Sequence, residues 1–365
     1  MPDLWPLRRP AGNRRLRFPL SAPRIAVDLL GGDTGLDAVV DGAVLAAERW
    51  PDLGLLLVGP PGETRAALAA RGVDPGDRIR IVAASQCIAM DEDPVRAVRS
   101  RRDATVRVAS RLLRDAEADA TVTVGSTGAA VAAALFTLGR LPGVTRPPLA
   151  VTVPAPRRPV VLLDAGATTT AGADLLVQFA LAGAAYAQVR LGVAEPTVGL
   201  LSIGSEPGKG DPVRREAEQR LAELLPQLGV RFAGNVESQA VALGGVVDVV
   251  VTDGFTGNVL LKGMEGAIGA VLAAAAGDLD RAGTAALAGV VSRLGPESQG
   301  GAVLLGVNGV VVVGHGSSSP AAVASCIGAA ASAAREGLVP RLTDALAALI
   351  AHRRAEPPHS RLMPA

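Results

Sequence analysis

Short apolar segments that alternate with helix-like stretches constrain the fold of this chain more than any other feature. Ten apolar runs recur between positions 24 and 314. Most of them are four to seven residues long, rich in Val, Ile and Leu, and end at Gly or Asp. Longer helix-like stretches such as DPVRREAEQRLAELL (211–225) separate them. Alternating strands and helices predict an α/β fold with three layers, in which helices cover both faces of a largely parallel sheet.

The composition supports such a sheet and argues against several other classes of protein. Of the 365 residues 49% are hydrophobic but only 2% are aromatic, so the core must consist of Val, Leu, Ile and Ala, as in buried parallel strands. A net charge of +1, without a basic stripe, argues against nucleic acid as a partner. Cys87 and Cys326 have no metal-ligand spacing and are interpreted as reduced thiols of a cytoplasmic protein, so we expect no metal. Without a dinucleotide-binding turn we expect no cofactor either.

A single domain with flexible ends is the expected organisation. Residues 1–23 are basic and proline-rich and lack the apolar middle of a secretory signal, so we predict a flexible extension. Residues 24–345 are predicted to form one α/β domain, in which the Ala-rich segment 264–300 is a helical arm outside the sheet. Residues 346–365 are expected to be a C-terminal tail that finishes a helix and then frays. No uninterrupted apolar run reaches the roughly 18 residues that suggest a membrane span.

Six glycine-rich turns follow strand signals and offer places for a ligand. The carboxyl ends of parallel strands share one edge of a sheet, where helix starts present N–H groups that favour an anion. For any single turn the simpler interpretation is that Gly only permits a tight turn. None of the six has the spacing of a P-loop or a dinucleotide-binding turn. The turns are DLLGGD (28–33), VGSTGAA (124–130), LDAGATT (163–169), SIGSEPGKG (202–210), AGNVE (233–237) and TDGFTGN (252–258).

Two lysines stand out because every other basic residue among the 36 is an arginine. Lys209 has Gly on both sides, and a mobile point charge beside exposed N–H groups suits phosphate. Lys262 follows Asn258 by four residues, so the two could share one helix face; a solvated helix lysine is the alternative. His315 lies between two glycines after the last strand, where a role in the site competes with a structural one.

Colinear motifs across residues 24–342 resemble the phosphate acyltransferases of bacterial phospholipid synthesis. The segments that carry the resemblance are RIAVDLLGGD, MDEDPVRAVRSRR, ADATVTVGSTGAAVAAALFTLGRLPGVTRPPLA, LLDAGAT, QFALAGAAYAQV, PTVGLLSIGSEPGKGD, FAGNVES, DVVVTDGFTGNVLLKGMEG and GGAVLLGVNGVVVVGHGSSS. The resemblance implies transfer of a long-chain acyl group from acyl carrier protein to inorganic phosphate, without a metal or cofactor. It also implies an isocitrate/isopropylmalate dehydrogenase-like fold, a homodimer, and peripheral contact with the cytoplasmic face of the membrane through the helical arm. Because that arm has few basic residues here, we expect the membrane contact to be weak.

Under this resemblance Lys209 would bind phosphate or the developing oxyanion, and Asn258 would donate to the same centre; these two are the predicted catalytic residues. The predicted substrate- and phosphate-binding residues are Ser126, Thr127, Gly128, Gly166, Gly204, Gly208, Gly210, Asn235, Asp253, Thr256, Gly257, Lys262 and His315. A dense charged segment holds the patch expected to receive the carrier protein, formed by Arg99, Arg101 and Arg102.

The chain departs from the family pattern in three of these turns. Ser126 replaces the Asn of Gly-Asn-Thr-Gly, Thr168 replaces the Asn of Gly-Ala-Asn, and Asp211 replaces the Asn of Lys-Gly-Asn. Asp211 opposes anion binding unless it pairs with Lys209 or Arg214, or points away. Two other functions therefore stay open: a non-catalytic relative that binds acyl carrier protein or acyl groups, and a phosphotransacetylase-like enzyme that uses acyl-CoA.

Overall fold

The computed structural model describes residues 22–276 and 300–355, together with six isolated positions between 283 and 295. The predicted N-terminal extension up to residue 21, most of the second half of the predicted arm, and the last ten residues lie outside this part. Within it the strands are β1 (Arg24–Asp28), β2 (Gly54–Gly59), β3 (Ile79–Ala83), β4 (Ala120–Thr123), β5 (Leu149–Val153), β6 (Val160–Leu163), β7 (Thr197–Leu201), β8 (Arg231–Val236), β9 (Val249–Val251), β10 (Ala302–Leu304) and β11 (Val310–Val313).

Helices follow most of these strands, as the alternation in the sequence predicts. In the described residues they are α1 (Gly35–Arg49), α2 (Pro61–Ala70), α3 (Pro94–Ser100), α4 (Thr105–Arg114), α5 (Thr127–Thr137), α6 (Ala173–Arg190), α7 (Pro212–Gln227), α8 (Ser238–Leu243), α9 (Gly254–Ala276), α10 (Pro320–Arg335) and α11 (Leu338–Ala355). Several begin at a side chain that accepts a hydrogen bond from the first turn, for example Asp93 at α3 and Ser319 at α10.

The strands form one sheet in the order β3-β2-β1-β4-β11-β10-β5-β6-β9-β7-β8. Pairing is parallel within the first five strands of this order and within the last four, but β10 is antiparallel to β11 and to β5, and β5 is antiparallel to β6. The two parallel groups therefore run in opposite directions. The expectation that all the glycine-rich turns share one edge of the sheet is wrong, because three antiparallel pairings at its centre reverse the chain direction.

Two helical layers cover the sheet, and each buries its own apolar clusters. Helices α1, α2, α6, α7, α10 and α11 pack on one face. Helices α3, α4, α5, α8 and α9 pack on the other. Helix α6 is apolar on nearly all sides and is almost wholly buried between the sheet and its neighbours α7 and α11.

Three elements differ from their sequence-based boundaries. The run VLLGVNGVVVVG forms two strands, because Gly306, with φ +86°, turns the chain back between them. Helix α11 continues to Ala355, beyond residue 345 where we expected the domain to end, because Leu346 and Leu349 are buried in the core. The arm does not begin at Met264, since α9 runs without a break from Gly254 through that position.

Helix α9 is also the one helix in the described part of the chain that is long and apolar enough to cross a membrane by length and composition alone. Its sequence contains no uninterrupted apolar run of that length, because Lys262 and Glu265 lie within it. Both charged side chains contact His315, which follows strand β11.

Candidate functional site

Helix α9 links the two oppositely directed halves of the sheet. It begins at the carboxyl end of β9, where Gly257 lies against the turn after β6. Two turns further on, Lys262 and Glu265 meet His315, which follows β11 in the other half. Because the two halves run in opposite directions, their turns lie at opposite edges of the sheet. Helix α9 spans this separation and brings turns from both edges to one cleft.

Lys262, Glu265 and His315 form a closed triangle of polar contacts. Lys262 Nζ lies 2.8 Å from Glu265 Oε2 and 3.2 Å from His315 Nδ1, and His315 Nε2 lies 3.3 Å from Glu265 Oε1. The ammonium group donates to Nδ1, so the neutral tautomer that fits carries its proton on Nε2, facing the carboxylate. Burial acts to raise the pKa of Glu265, but hydrogen bonds from His315 and Lys262 outweigh it and hold that pKa below its ordinary value.

Two cavities meet at this triangle. The first, of about 200 Å³, reaches from Lys262 and His315 to Ser317 and Ser318, just before the N-terminus of α10. The second, of about 150 Å³, extends from the same side chains under α9 along β5, and Thr127 and Asn258 border it. Lys262, His315 and a helix start border the first cavity and favour an anion there, while the Glu265 carboxylate, which borders it too, pairs with both side chains.

A second cluster holds the start of α9, and Arg214 is at its centre. The Arg214 guanidinium contacts the carboxylates of Asp211 and Asp253 and the hydroxyls of Thr252 and Thr256. Asp253 accepts from the Thr256 amide at 2.9 Å and from its hydroxyl at 2.8 Å. Burial acts to raise the pKa of Asp253, but the bonds from Thr256 and Arg214 outweigh it and lower that pKa. Asp253 and Thr256 therefore position the helix that carries Asn258.

The turn after β6 is organised around the fully buried Asp164. Its carboxylate accepts from the amides of Gly166, Ala167 and Thr168 and from the Thr168 hydroxyl, at 2.7–3.0 Å. Thr168, which stands where the family has Asn, therefore completes this turn. Asn258 lies beside Gly166: a Cβ built on that glycine would come within 3.5 Å of Asn258 Oδ1.

Lys209 and its glycines lie on an exposed loop after β7. The predicted loop residues Gly204, Gly208 and Gly210 form its tight backbone, with positive φ at the last two. Asn235 is buried and donates to the Glu206 carbonyl at 3.2 Å, which holds this loop. Lys209 borders neither of the two cavities, whereas Lys262 borders both. The structure thus brings Lys262, Asn258, Thr127 and His315 together and leaves Lys209 apart from them.

The other departures from the family pattern have local partners. Ser126 begins α5 and its hydroxyl accepts from the Ala129 amide, so Thr127 and Gly128 form the first turn of that helix. Asp211 begins α7 and its carboxylate pairs with Arg214. Of the three possibilities for Asp211, pairing with Arg214 is the one that the structure contains.

The predicted carrier-protein patch is partly neutralised by its own surroundings. Arg101 pairs with Glu92 through two short hydrogen bonds. Arg99 stacks on the ring of Phe136 with its guanidinium carbon 4.7 Å from the ring centre. Arg102 is exposed in the turn that follows α3.

Sequence reasoning missed Glu265 and did not assign Arg214 a role in the site. Glu265 follows Lys262 by three residues, a spacing that places both on one helix face and was a usable signal. Arg214 gave a weaker signal, because its contacts to Thr252 and Asp253 span about forty residues of sequence.

Comparison with known proteins agrees with the motifs. Residues 23–341 match the model of a family described as fatty acid synthesis protein. The phosphate acyltransferase of Thermobifida fusca (strain YX) is 44% identical over 338 residues, which are 90% of this chain and 91% of that protein. This chain belongs to the phosphate acyltransferase family. The phosphate acyltransferase of Nostoc sp. (strain PCC 7120 / SAG 25.82 / UTEX 2576) is 41% identical and covers 83% of this chain and 90% of its own length.

Solved structures show that this member of the phosphate acyltransferase family shares its fold with other enzymes. A phosphotransacetylase from Streptococcus pyogenes has a TM-score of 0.59 at 18% identity and covers 88% of this chain and 96% of its own. A 4-hydroxythreonine-4-phosphate dehydrogenase from Klebsiella pneumoniae has a TM-score of 0.51 at 13% identity, with 87% and 99% covered. The predicted three-layer α/β fold is confirmed.

Proposed function

We propose that this acyltransferase moves a fatty acyl group from acyl-acyl carrier protein to inorganic phosphate and so supplies acyl phosphate for phospholipid synthesis. Family membership supports the acyl transfer to phosphate. The observation that carries the assignment of the site is the pair of cavities that meet at Lys262 and His315. Lys262, His315 and a helix start border the first, together with the Glu265 carboxylate that pairs with both side chains. Residues of β5 and Leu261 give the second a mainly apolar wall. A reaction between phosphate and a fatty acyl thioester requires both kinds of surface.

In the proposed reaction a phosphate oxygen attacks the thioester carbonyl carbon, and a C–O bond forms as the carbonyl oxygen gains negative charge. The C–S bond then breaks with its electron pair on sulfur, and the thiolate takes up the proton that the attacking hydrogen phosphate gives up, so the carrier leaves as its thiol. Phosphate is a weak nucleophile, so holding it against the carbonyl supplies much of the rate. Lys262 would hold phosphate, and Asn258 would donate a hydrogen bond to the oxyanion.

Lys209 remains a predicted phosphate ligand, and the two lysines can be told apart. The assay is phosphate-dependent consumption of palmitoyl-acyl carrier protein, with acyl phosphate trapped by hydroxylamine. We expect Lys262→Ala to lower kcat/KM about 10²-fold, since removing one preorganised donor to a developing charge has effects of that order. Arg65→Ala, on the exposed side of α2, removes a positive charge away from the site and is the control.

Three results would change the proposal. A large loss in Lys209→Ala with Lys262→Ala unaffected would move phosphate to the loop after β7. Absence of phosphate-dependent turnover in the wild type, with carrier-protein binding intact, would favour the non-catalytic alternative. Faster turnover of acetyl-CoA than of palmitoyl-acyl carrier protein would favour the phosphotransacetylase-like alternative.

The macromolecular contacts follow from the same proposal. A carrier protein is acidic, so Arg102, which is exposed and follows α3, is proposed to contact it. Arg102→Glu should raise KM for palmitoyl-acyl carrier protein several-fold and leave KM for palmitoyl-CoA unchanged. Equal effects on both donors would exclude the patch as the docking site.

A homodimer in the cytoplasm, with weak peripheral contact to the inner face of the membrane, completes the proposal. Exposed apolar side chains on α9, among them Phe255 and Val271, support contact with an apolar partner. Sedimentation velocity tests the dimer. Flotation with anionic vesicles tests the membrane contact.

A further inference from the structure

The cavity along β5 has one wall that is built as a continuous apolar surface. Leu149, Val151 and Val153 alternate along the strand and so face the same side of the sheet. Leu261 of α9 covers them from above, and all four border the cavity. Five residue steps from Leu149 to Pro154 give this wall a length of about 17 Å.

Val151 lies at the middle of this wall and is incompletely covered by protein. It packs against two separate apolar clusters of the core, yet it is only partly buried while most of β5 is fully buried. Its remaining exposure faces the cavity. An apolar cavity wall that the protein itself does not fill is suited to an apolar ligand.

The polar groups of the cavity stand at its border. Lys262, Glu265, His315 and Asn258 line it together with the strand, and the first three also border the cavity at the start of α10. A ligand with an apolar chain and a reactive polar head would therefore place its head at Lys262 and His315. The anion cavity lies directly across this border, on the side from which phosphate would attack.

We propose that the cavity along β5 is the acyl-chain subsite, and that Val151 and Leu261 set the preferred chain length of a straight-chain fatty acyl donor. This inference rests on the proposed function, because it assigns the chain of the same acyl donor. The thioester carbonyl lies at Lys262 and Asn258, and the methylene chain runs between β5 and α9. A larger side chain at position 151 shortens the space for that chain without touching the polar groups.

The test compares chain-length profiles. Acyl phosphate formation is measured with octanoyl-, dodecanoyl- and palmitoyl-acyl carrier protein for the wild type, Val151→Phe and Leu261→Phe. We expect each variant to lower the ratio of kcat/KM for palmitoyl over octanoyl donors at least tenfold. Val246→Phe makes the same change at a position that is 57% exposed and borders neither cavity, and it should keep the wild-type ratio.

A binding measurement separates this inference from the proposed function. Dodecanoate is titrated calorimetrically into each protein below its micelle concentration, and Val151→Phe should bind it at least tenfold more weakly than the wild type. If the wild type forms acyl phosphate but both cavity variants keep its profile, the subsite is wrong and the function stands. If the wild type forms none, the function fails, and equal dodecanoate binding by all variants would then also overturn the subsite. Leu261→Phe decides the matter if Val151→Phe fails to fold, because a helix side chain can shift without straining the sheet.

Discussion

At the residue scale, the substitutions that distinguish this chain from its family are explained by local hydrogen bonds. Thr168 completes the Asp164 turn, Ser126 begins α5, and Asp211 begins α7 and pairs with Arg214. Each short polar side chain replaces an Asn with another group that accepts or donates at the same kind of position. The charge of Asp211 is therefore directed at an arginine rather than at phosphate.

The Arg214 cluster makes a prediction about pH. Asp253 has a pKa below its ordinary value of 3.8, so its contribution to stability is present above that value and is lost as pH falls through the lowered pKa. Asp253→Asn should lower the free energy of unfolding by about 1–3 kcal/mol near pH 7, since Arg214 then lacks one of its two carboxylates.

Urea denaturation at a series of pH values checks this. The difference between wild type and Asp253→Asn should begin to shrink as pH falls below about 4, where the carboxyl takes up a proton in the unfolded chain but stays ionised in the folded protein. It should vanish once pH falls through the lowered pKa of the folded protein. A difference that stays constant from pH 7 to pH 3 would show that the carboxylate charge is not what stabilises the start of α9.

At the element scale, the glycines of α9 serve different purposes along one helix. A Cβ on Gly257 would lie 1.9 Å from the Asp164 carbonyl oxygen, and one on Gly254 would lie 2.0 Å from that of Thr168. The helix start can approach the β6 turn only because both residues lack a side chain. A Cβ on Gly263, two turns on, would have no atom within 4 Å.

These two kinds of glycine should respond oppositely to alanine. Gly257→Ala should cost about 1–3 kcal/mol or more, because the helix must move away from the strand, and it should also reduce turnover by displacing Asn258. Gly263→Ala should stabilise the protein by about 0.5–1 kcal/mol, as alanine does in an open helix position. Urea midpoints and the hydroxylamine assay measure both effects, and a neutral Gly257→Ala would show that the close approach is not needed.

The existence of the elements was predictable, while some of their ends were not. Runs such as LGLLLVG become strands because four consecutive buried apolar residues fit only the middle of a covered sheet. The sequence predicts a separate helical arm from Met264 onward, because the start of α9 is amphipathic and its end is rich in Ala. Backbone hydrogen bonding continues through that change in composition, since nothing there breaks a helix.

At the scale of the whole molecule, the reversal of strand direction places the site in a cleft instead of along one sheet edge. Helix α11 contributes to the stability of this arrangement. Leu342, Leu346 and Leu349 lie on one side of that helix and are buried in the large core cluster that also contains α6. The last helix thus helps to hold together the layer that spans both halves of the sheet.

Leu349→Ala should therefore lower the free energy of unfolding by about 2–4 kcal/mol, the range for a buried leucine that leaves a cavity. Asp344→Ala, an exposed change on the same helix, should stay within about 0.5 kcal/mol of the wild type. Thermal and urea denaturation of both variants provide the measurement. Equal stability of the two would mean that the domain ends near residue 345, as the sequence first suggested.

The sequence by itself determined the class of fold, the family, and the turns from which a site could be built, because apolar periodicity and local turn chemistry are properties of neighbouring residues. Tertiary structure alone decided which of those turns meet. Lys262 and His315 are 53 positions apart, and Arg214 and Asp253 are 39 apart. Their contacts depend on the antiparallel pairings of β5 and β10 and on the path of α9 across them. Those pairings arise from packing of the whole sheet, which no short stretch of sequence encodes.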